Sequence, residues 1–387
     1  MAEALGTRAP NTREPRLASW QESALLLGAI VCLAHAASWW RTPLDVAIRR
    51  DCGELQLRMR LTLQRDTAGT LQDGSALYQA IRRHRPGYVH LLLAAGADPN
   101  ATGQYAPLRE AVLDQDLVST EALLEAGADP GVGLARAIGY ASREGDPDMV
   151  SLLLDYGADP DRPMEWAGQR LTPLTYAIVM HHDAVVEALL VGGADPNLGR
   201  PSCDVVPLSL AIGRGSRRSV ELLLDAGADP NRLSEALISG GIDWWRVWTL
   251  APHLFGDRRT RPPSPLAQAS ARGRKGLLEP LIVAGANRAD PQALFGAIDR
   301  GKDNGPEVLA ELLRLGVDVS AASDQGVTAL HWAAQQDREW ACAMLLAHEA
   351  DDSIRDAAGR TPVEVARVSG ASVETLQALR DGGADGQ

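Results

Sequence analysis

Gly227-Ala228-Asp229-Pro230-Asn231 is one copy of a tag that recurs as Gly96-Ala97-Asp98-Pro99-Asn100, Gly127-Ala128-Asp129-Pro130, Gly157-Ala158-Asp159-Pro160 and Gly193-Ala194-Asp195-Pro196-Asn197. Fainter copies stand at Gly285-Ala286-Asn287, Gly316-Val317-Asp318, Ala350-Asp351 and Gly383-Ala384-Asp385, with Glu349 in one glycine slot. That first position steps by 31, 30, 36, 34, 58, 31, 33 and 34 residues. Such a period predicts a solenoid in which each unit packs on its neighbours, and it overrides any domain count made from length.

Outward from the tag, each unit reads as helix, turn, helix. The fullest copy opens with Thr328-Ala329-Leu330-His331-Trp332-Ala333-Ala334, breaks at Gln335-Gln336-Asp337-Arg338 and resumes with Trp340-Ala341-Cys342-Ala343-Met344-Leu345-Leu346. Other openings are Thr172-Pro173-Leu174, Val206-Pro207-Leu208 and Thr361-Pro362-Val363. Thr at the N-cap can accept a backbone N–H, and Pro at the first helical position lacks only a donor that has no partner there. Paired leucines mark the second helix, as at Leu123-Leu124, Leu189-Leu190 and Leu222-Leu223-Leu224. The tag glycine then suits the left-handed residue just past a helix end, and Asp-Pro turns the chain outward. Ala at repeated first-helix positions (Ala111, Ala177, Ala211, Ala333) allows close approach, and the leucines fill the space between pairs.

The Thr-Pro-Leu-His-x-Ala-Ala pattern, followed by a leucine pair and Gly-Ala-Asp-x-Asn, resembles the ankyrin repeat. The resemblance covers residues 73–387 and implies an all-α ankyrin-repeat solenoid of about ten stacked helix-turn-helix units with short hairpin-like loops. Units can be drawn from near Ser75, Ala106, Gly133, Thr172, Val206, Arg232, Pro265, Pro291, Thr328 and Thr361. The one at about 232–262 is degenerate: Trp244, Trp245 and Trp248 stand where a leucine pair belongs, and no terminator follows. These tryptophans read as core filling for that unit, with an exposed partner patch as the alternative. A fragment at 41–72, with Thr42-Pro43-Leu44, looks like a first helix without a clear second one and suits an N-terminal capping unit. Glu374, Gln377 and Arg380 fit a C-terminal cap that must face water.

Before the array come a basic leader, 1–22, and an apolar segment, 23–40. Residues 24–40 contain no Asp, Glu, Lys or Arg. Ala34-His35-Ala36 suits a signal-peptide cleavage site, Trp39-Trp40-Arg41 suits a membrane anchor, and an extra capping helix is the third reading. Export to a periplasm or anchoring in an inner membrane is therefore expected, with a cytoplasmic protein as the alternative.

The chain is 45% hydrophobic and only 4% aromatic, and its net charge is −12. Residues 1–65 hold nine Arg against six Asp or Glu, a net of +3, so the remainder carries −15 and repels phosphate backbones. Nucleic acid is not the expected partner. Only Lys275 and Lys302 are lysine among 38 basic residues, a bias that suggests a GC-rich genome and a bacterial source. Cys32, Cys52, Cys203 and Cys342 form no C-x-x-C pair, so no zinc or redox motif is encoded.

Catalysis would need a nucleophile with its base, a metal cluster or a phosphate-binding loop, and no such motif occurs. His181-His182-Asp183 is the densest set of possible ligands, but it falls in an inter-helix turn where polar residues are expected. No enzyme, cofactor or metal is expected. The ankyrin resemblance instead implies a monomeric, non-enzymatic scaffold that binds a protein through hairpin tips and a concave face. The tip positions here are Gln104 and Tyr105, Trp166, Gln169 and Arg170, Asp204, and Asp324 and Gln325. Tyr105 and Trp166 stand out because aromatic anchors in polar loops carry disproportionate binding energy. An exported effector that sequesters an enzyme is the rival function, and an enzyme with a cryptic site in the degenerate unit is a remote one.

Overall fold

The computed structural model describes residues 43–63, 71–102, 105–130, 139, 141, 145–166, 169–199, 206–232 and 263–384. The chain divides into two units, 1–128 and 129–387. The leader, the apolar segment and the tryptophan cluster at 244–248 lie outside the described residues. Among those described, no helix is long and apolar enough to cross a membrane.

The first unit holds three helix pairs: α1 (Leu44–Arg49) with α2 (Glu54–Leu63), α3 (Ser75–Arg82) with α4 (Pro86–Ala94), and α5 (Pro107–Leu113) with α6 (Leu117–Glu125). First helices stack in the order α1, α3, α5 and second helices in the order α2, α4, α6. The fragment at 41–72 thus has a second helix after all. It carries no leucine pair because α2 buries Leu57 and Arg60 while Leu55 and Met59 stay exposed.

In the second unit α7 (Pro147–Asp155) is followed by a short antiparallel hairpin, β1 (Met164–Trp166) and β2 (Gln169–Leu171). Pairs then run as α8 (Pro173–Val179) with α9 (Asp183–Val191), α10 (Pro207–Arg214) with α11 (Arg217–Asp225), and α12 (Pro265–Ala271) with α13 (Lys275–Val283). They continue as α14 (Pro291–Asp299) with α15 (Gly305–Arg314), α16 (Ala329–Gln335) with α17 (Glu339–Leu346), and α18 (Pro362–Ser369) with α19 (Val373–Ala384). Nine complete pairs and one lone second helix are therefore described, in keeping with an all-α solenoid of about ten.

Helix starts follow the cap chemistry. Thr172, Ser264, Thr328 and Thr361 each accept a backbone N–H at their helix N-termini, and His331 and Glu364 complete capping boxes. The core is a double row of buried aliphatic side chains, with Ala177, Ala211 and Ala333 of the first helices wholly covered, as are Leu189, Leu223 and Leu345 of the second. Truncating any of these leucines to alanine would cost about 2–5 kcal/mol.

The tag does more than end a helix. Its glycines sit at φ between 84° and 93° at Gly96, Gly127, Gly157, Gly193, Gly227 and Gly285, and the following residue donates back five positions, as Ala228 N does to Leu223 O at 2.9 Å. This is the Schellman termination. Glu349 takes the same left-handed region at φ 62°. The Asp then closes a turn on the backbone two residues ahead, as Asp229 Oδ1 does with Asn231 N at 2.8 Å. Asn231 Nδ2 donates to Gly285 O at 3.0 Å and Asn231 Oδ1 accepts Asn287 N at 2.7 Å, so the tag of one unit is bonded to the tag of the next. Asn197 makes the same pair of bonds to Gly227 O and Asp229 N, at 3.1 and 2.9 Å.

Those bonds also correct the reading of the 58-residue step. A unit beginning near Arg232 would separate the Val206 unit from the Pro265 unit, yet α10 touches α12 and α11 touches α13. Arg272 Nη1 donates to Gly213 O at 3.2 Å, and Gln268 Nε2 to Ser209 Oγ at 3.3 Å. The stack is continuous from Asn231 to Asn287, and no unit stands between them. Spacing counted along the chain could not distinguish two units from one unit and an insertion.

Candidate partner-binding surface

The hairpin tips differ in how firmly each is held. Asp324 and Gln325 are exposed at the end of a turn closed by Ser323 N to Val327 O at 2.9 Å and Gly326 N to Ser323 O at 2.8 Å. Ala357 N donates to Gln325 O at 2.8 Å, which ties this tip to the next one. The next tip is built on buried Asp356, which receives Ala358 N, Arg360 N and two bonds from the Arg360 guanidinium. Burial alone would push that carboxyl up, but these donors outweigh it and hold it below the usual carboxylate range. The side chains of Asp324 and Gln325 thus project from backbone that is fixed on both sides.

Arg170 is exposed on β2, opposite Glu165 in the register, and Trp166 is paired with Gln169 at the turn end. The side chains of Trp166 and Gln169 lie outside what is described. Leu171, which follows, is buried with Tyr176 and anchors the hairpin to α8. Tyr105 is only half-buried and its ring lies 5.3 Å from that of Tyr78, tilted by 59°. Its aromatic face is therefore shared with α3 rather than standing alone in a polar loop. Gln104 and Asp204 lie outside the described residues. Arg170 lies in the second unit, as do Asp324 and Gln325, whereas Tyr105 lies in the first, and their placement is a matter for each unit separately.

The possible ligand set at the α8–α9 turn comes apart. Asp183 accepts Ser216 Oγ at 2.8 Å and also Ser219 Oγ, both from the following unit, while the His182 ring closes over Gly145 in the preceding one. Among the described residues no group of His, Cys, Asp or Glu is arranged to hold a metal ion. Cys342 is fully buried on α17, and desolvation raises its thiol pKa to about 12, which removes it from thiolate chemistry. His331 is equally structural. Its Nδ1 accepts Thr328 N at 3.3 Å and its Nε2 faces Arg360 O at 3.0 Å.

Sequence reading missed the bonds between successive tags and the seating of each inter-helix turn on the one before. Asn at the fifth tag position was the available signal for the first. The second has none in a single unit, since it depends on what the neighbouring unit presents.

The family model for ankyrin repeats (three copies) matches residues 108–200, 138–234, 266–356 and 294–386, more than half of the chain. An ankyrin repeat domain-containing protein, SAT10, of the fungus Stachybotrys chartarum is 33% identical over 175 residues. That match covers 44% of this chain but 9% of the fungal protein, so the chain spans a small part of that relative's length. Among solved structures the chain is similar to the human ASB11 ankyrin repeat domain, with 23% identity, a TM-score of 0.44, and coverage of 63% of this chain and 96% of that one. It is also similar to the ankyrin repeat domain of Bcl-3, with 22% identity, a TM-score of 0.41, and coverage of 72% and 100%. Because that family model matches more than half of a chain built of tagged, stacked helix pairs, the chain belongs to the ankyrin-repeat family.

Proposed function

We propose that this chain is a non-enzymatic scaffold that holds a protein partner on its hairpin tips. The observation that carries the reading is the exposure of Arg170, Asp324 and Gln325 on hairpins whose backbones are pinned by buried residues and by neighbouring tips. Rigid loops with unlike, exposed side chains suit recognition, because little ordering entropy is lost on binding. Trp166, on the same hairpin as Arg170, adds an aromatic residue to the tips of the second unit. The test is capture of partners by the full-length chain, compared with a variant carrying Trp166→Ala, Arg170→Ala, Asp324→Ala and Gln325→Ala. Loss of specific proteins by the variant, with the far-UV spectrum unchanged, supports the tips. Identical recovery by both chains overturns them.

The charge-free stretch at 24–40 and the arginines before it support export or anchoring of the array, and the arginine bias supports a bacterial source. An exported binder would act by sequestering its target, which is the second reading. Fractionation with N-terminal sequencing decides it: a soluble cytoplasmic chain with Met1 intact ends the export proposal.

A further inference from the structure

At the opposite ends of the first helices from the tips, the inter-helix turns of the second unit carry an unusual charge. Residues 214–218, 272–275, 299–303 and 337–339 contain nine Arg or Lys against four Asp or Glu, in a chain whose net charge is −12. Both lysines of the chain are among the nine.

The basic side chains form a row because each unit's arginine lies over the turn glycine of the unit before. The Arg274 guanidinium comes within 2.6 Å of where a Cβ on Gly215 would stand, that of Arg300 within 2.7 Å of the same point on Gly273, and that of Arg338 within 3.5 Å of it on Gly301. Arg272 Nη1 caps Gly213 O at 3.2 Å and Arg300 Nη1 caps Ala271 O at 3.1 Å, which fixes the row without neutralising it. Three of the nine have acidic partners: Arg217 with Glu221, Arg218 with Glu187, and Lys275 with Glu307. Arg214, Arg272, Arg274, Arg300, Lys302 and Arg338 have no ion pair among the described residues, and Arg338 Nε is buried without a hydrogen-bond partner. Of the four acids in these turns, Asp299 accepts Trp332 Nε1 at 2.7 Å and Asp337 accepts Ser372 and Thr375, while Asp303 and Glu339 form no ion pair with the row among the described residues. Burial lowers the pKa of Arg272, and the neighbouring Arg274 lowers it further, the mark of cations placed side by side.

We infer that this row of turn arginines, with Arg214 and Lys302 on its rim, is a second docking surface that takes an acidic, Asp- or Glu-rich peptide segment of a protein partner. Guanidinium groups held by backbone carbonyls are pre-oriented forks for carboxylates, so a peptide meets donors that need little further ordering. A polyanionic nucleic acid would bring its phosphates against the strongly acidic remainder of the array, whereas a short acidic segment loads the row alone. The surface stands apart from the tips and does not rest on the reading given to them.

Fluorescence anisotropy with a short fluorescein-labelled Glu-rich peptide and the full chain tests the proposal. The expected result is saturable binding at low salt that weakens at least about tenfold in the triple variant Arg214→Glu, Arg274→Glu, Lys302→Glu, each site contributing roughly what an exposed ion pair does. These three side chains are exposed and in no ion pair among the described residues, and the double variant Arg214→Ser, Lys302→Ser serves if the triple does not fold. Substituting Arg170 and Asp324 should leave peptide binding unchanged, which separates this surface from the tips. Absence of wild-type binding at low salt, equal binding by the folded variants, or equal capture of a single-stranded RNA with the same dependence on the row would overturn it.

Discussion

Asp161 shows how a single residue departs from the rule the others obey. Its counterparts Asn100, Asn197 and Asn231 donate from Nδ2 to Gly127 O, Gly227 O and Gly285 O. Asp161 accepts Asp195 N through both carboxylate oxygens, at 3.1 and 3.2 Å, but an ionised carboxylate has nothing to donate to the next tag. Burial raises its pKa, and the Asp195 and Asp159 carboxylates add to the rise against the pull of Asp195 N. A carboxyl whose pKa is raised on folding penalises the folded state once ionised, so this penalty is present at neutral pH and fades as pH falls towards the ordinary value of 3.8. Asp161→Asn should therefore stabilise the second unit by about 0.5–1.5 kcal/mol at neutral pH in chemical denaturation, with a smaller gain near pH 4. His331 works in the other sense. Its Nδ1 already accepts Thr328 N, and burial lowers its pKa from 6.5, with the Arg360 carbonyl and Asp356 opposing and the Arg360 charge assisting. A base whose pKa is lowered on folding contributes stability above its unfolded value and loses it as pH falls through the folded one. Thermal melts should show stability dropping below about pH 6.5, and His331→Gln should flatten that part of the profile.

Among the elements, the last pair shows how an end of the stack is secured. Asp337, in the α16–α17 turn, accepts Ser372 N at 2.9 Å, Ser372 Oγ at 2.6 Å and Thr375 Oγ1 at 2.7 Å at the start of α19. The Ser372 and Thr375 hydroxyls, then Ser372 N, lower the pKa of its carboxyl. Asp337→Asn keeps the shape and removes the charge, and because the carboxylate is exposed to screening solvent the cost should be no more than about 1 kcal/mol. Hydrogen exchange should quicken in α19 while α14 and α15 keep their protection, and uniform exchange in the variant would show that the end is secured some other way. Much of this level was legible in the sequence. Thr172, Thr328 and Thr361 announce their helices because cap chemistry is local, and the leucine pairs announce the second helices because their period is. Helix α2 was not legible, since among its described side chains only Leu57 and Arg60 are buried. Nor was the sharing of the Tyr105 face with Tyr78, because the two meet only after the preceding unit has folded. The tip positions could be listed from the tag's phase, but what holds them in place, such as the Ala357 to Gln325 bond, comes from the adjacent unit.

At the scale of the molecule, register between repeats organises the surface. Within each of the two parts, helix stacking and the bonds between successive tags hold neighbouring repeats in register, so the tips and the basic row of the second part are both consequences of how turns repeat in space. The stack runs unbroken across the 58-residue step, with Asn231 bonded to the Gly285 tag. A step of 58 less 24 residues restores the 34-residue spacing of the preceding tags. Excision of residues 236–259, which removes those 24 and leaves a loop of ordinary length before Pro265, is the direct test. The excised chain should keep its far-UV helix signal per residue and melt within a few degrees of the full chain, a shift equivalent to about 1 kcal/mol or less. A chain that loses its cooperative transition, or whose two flanking segments melt separately, would contradict the continuous stack.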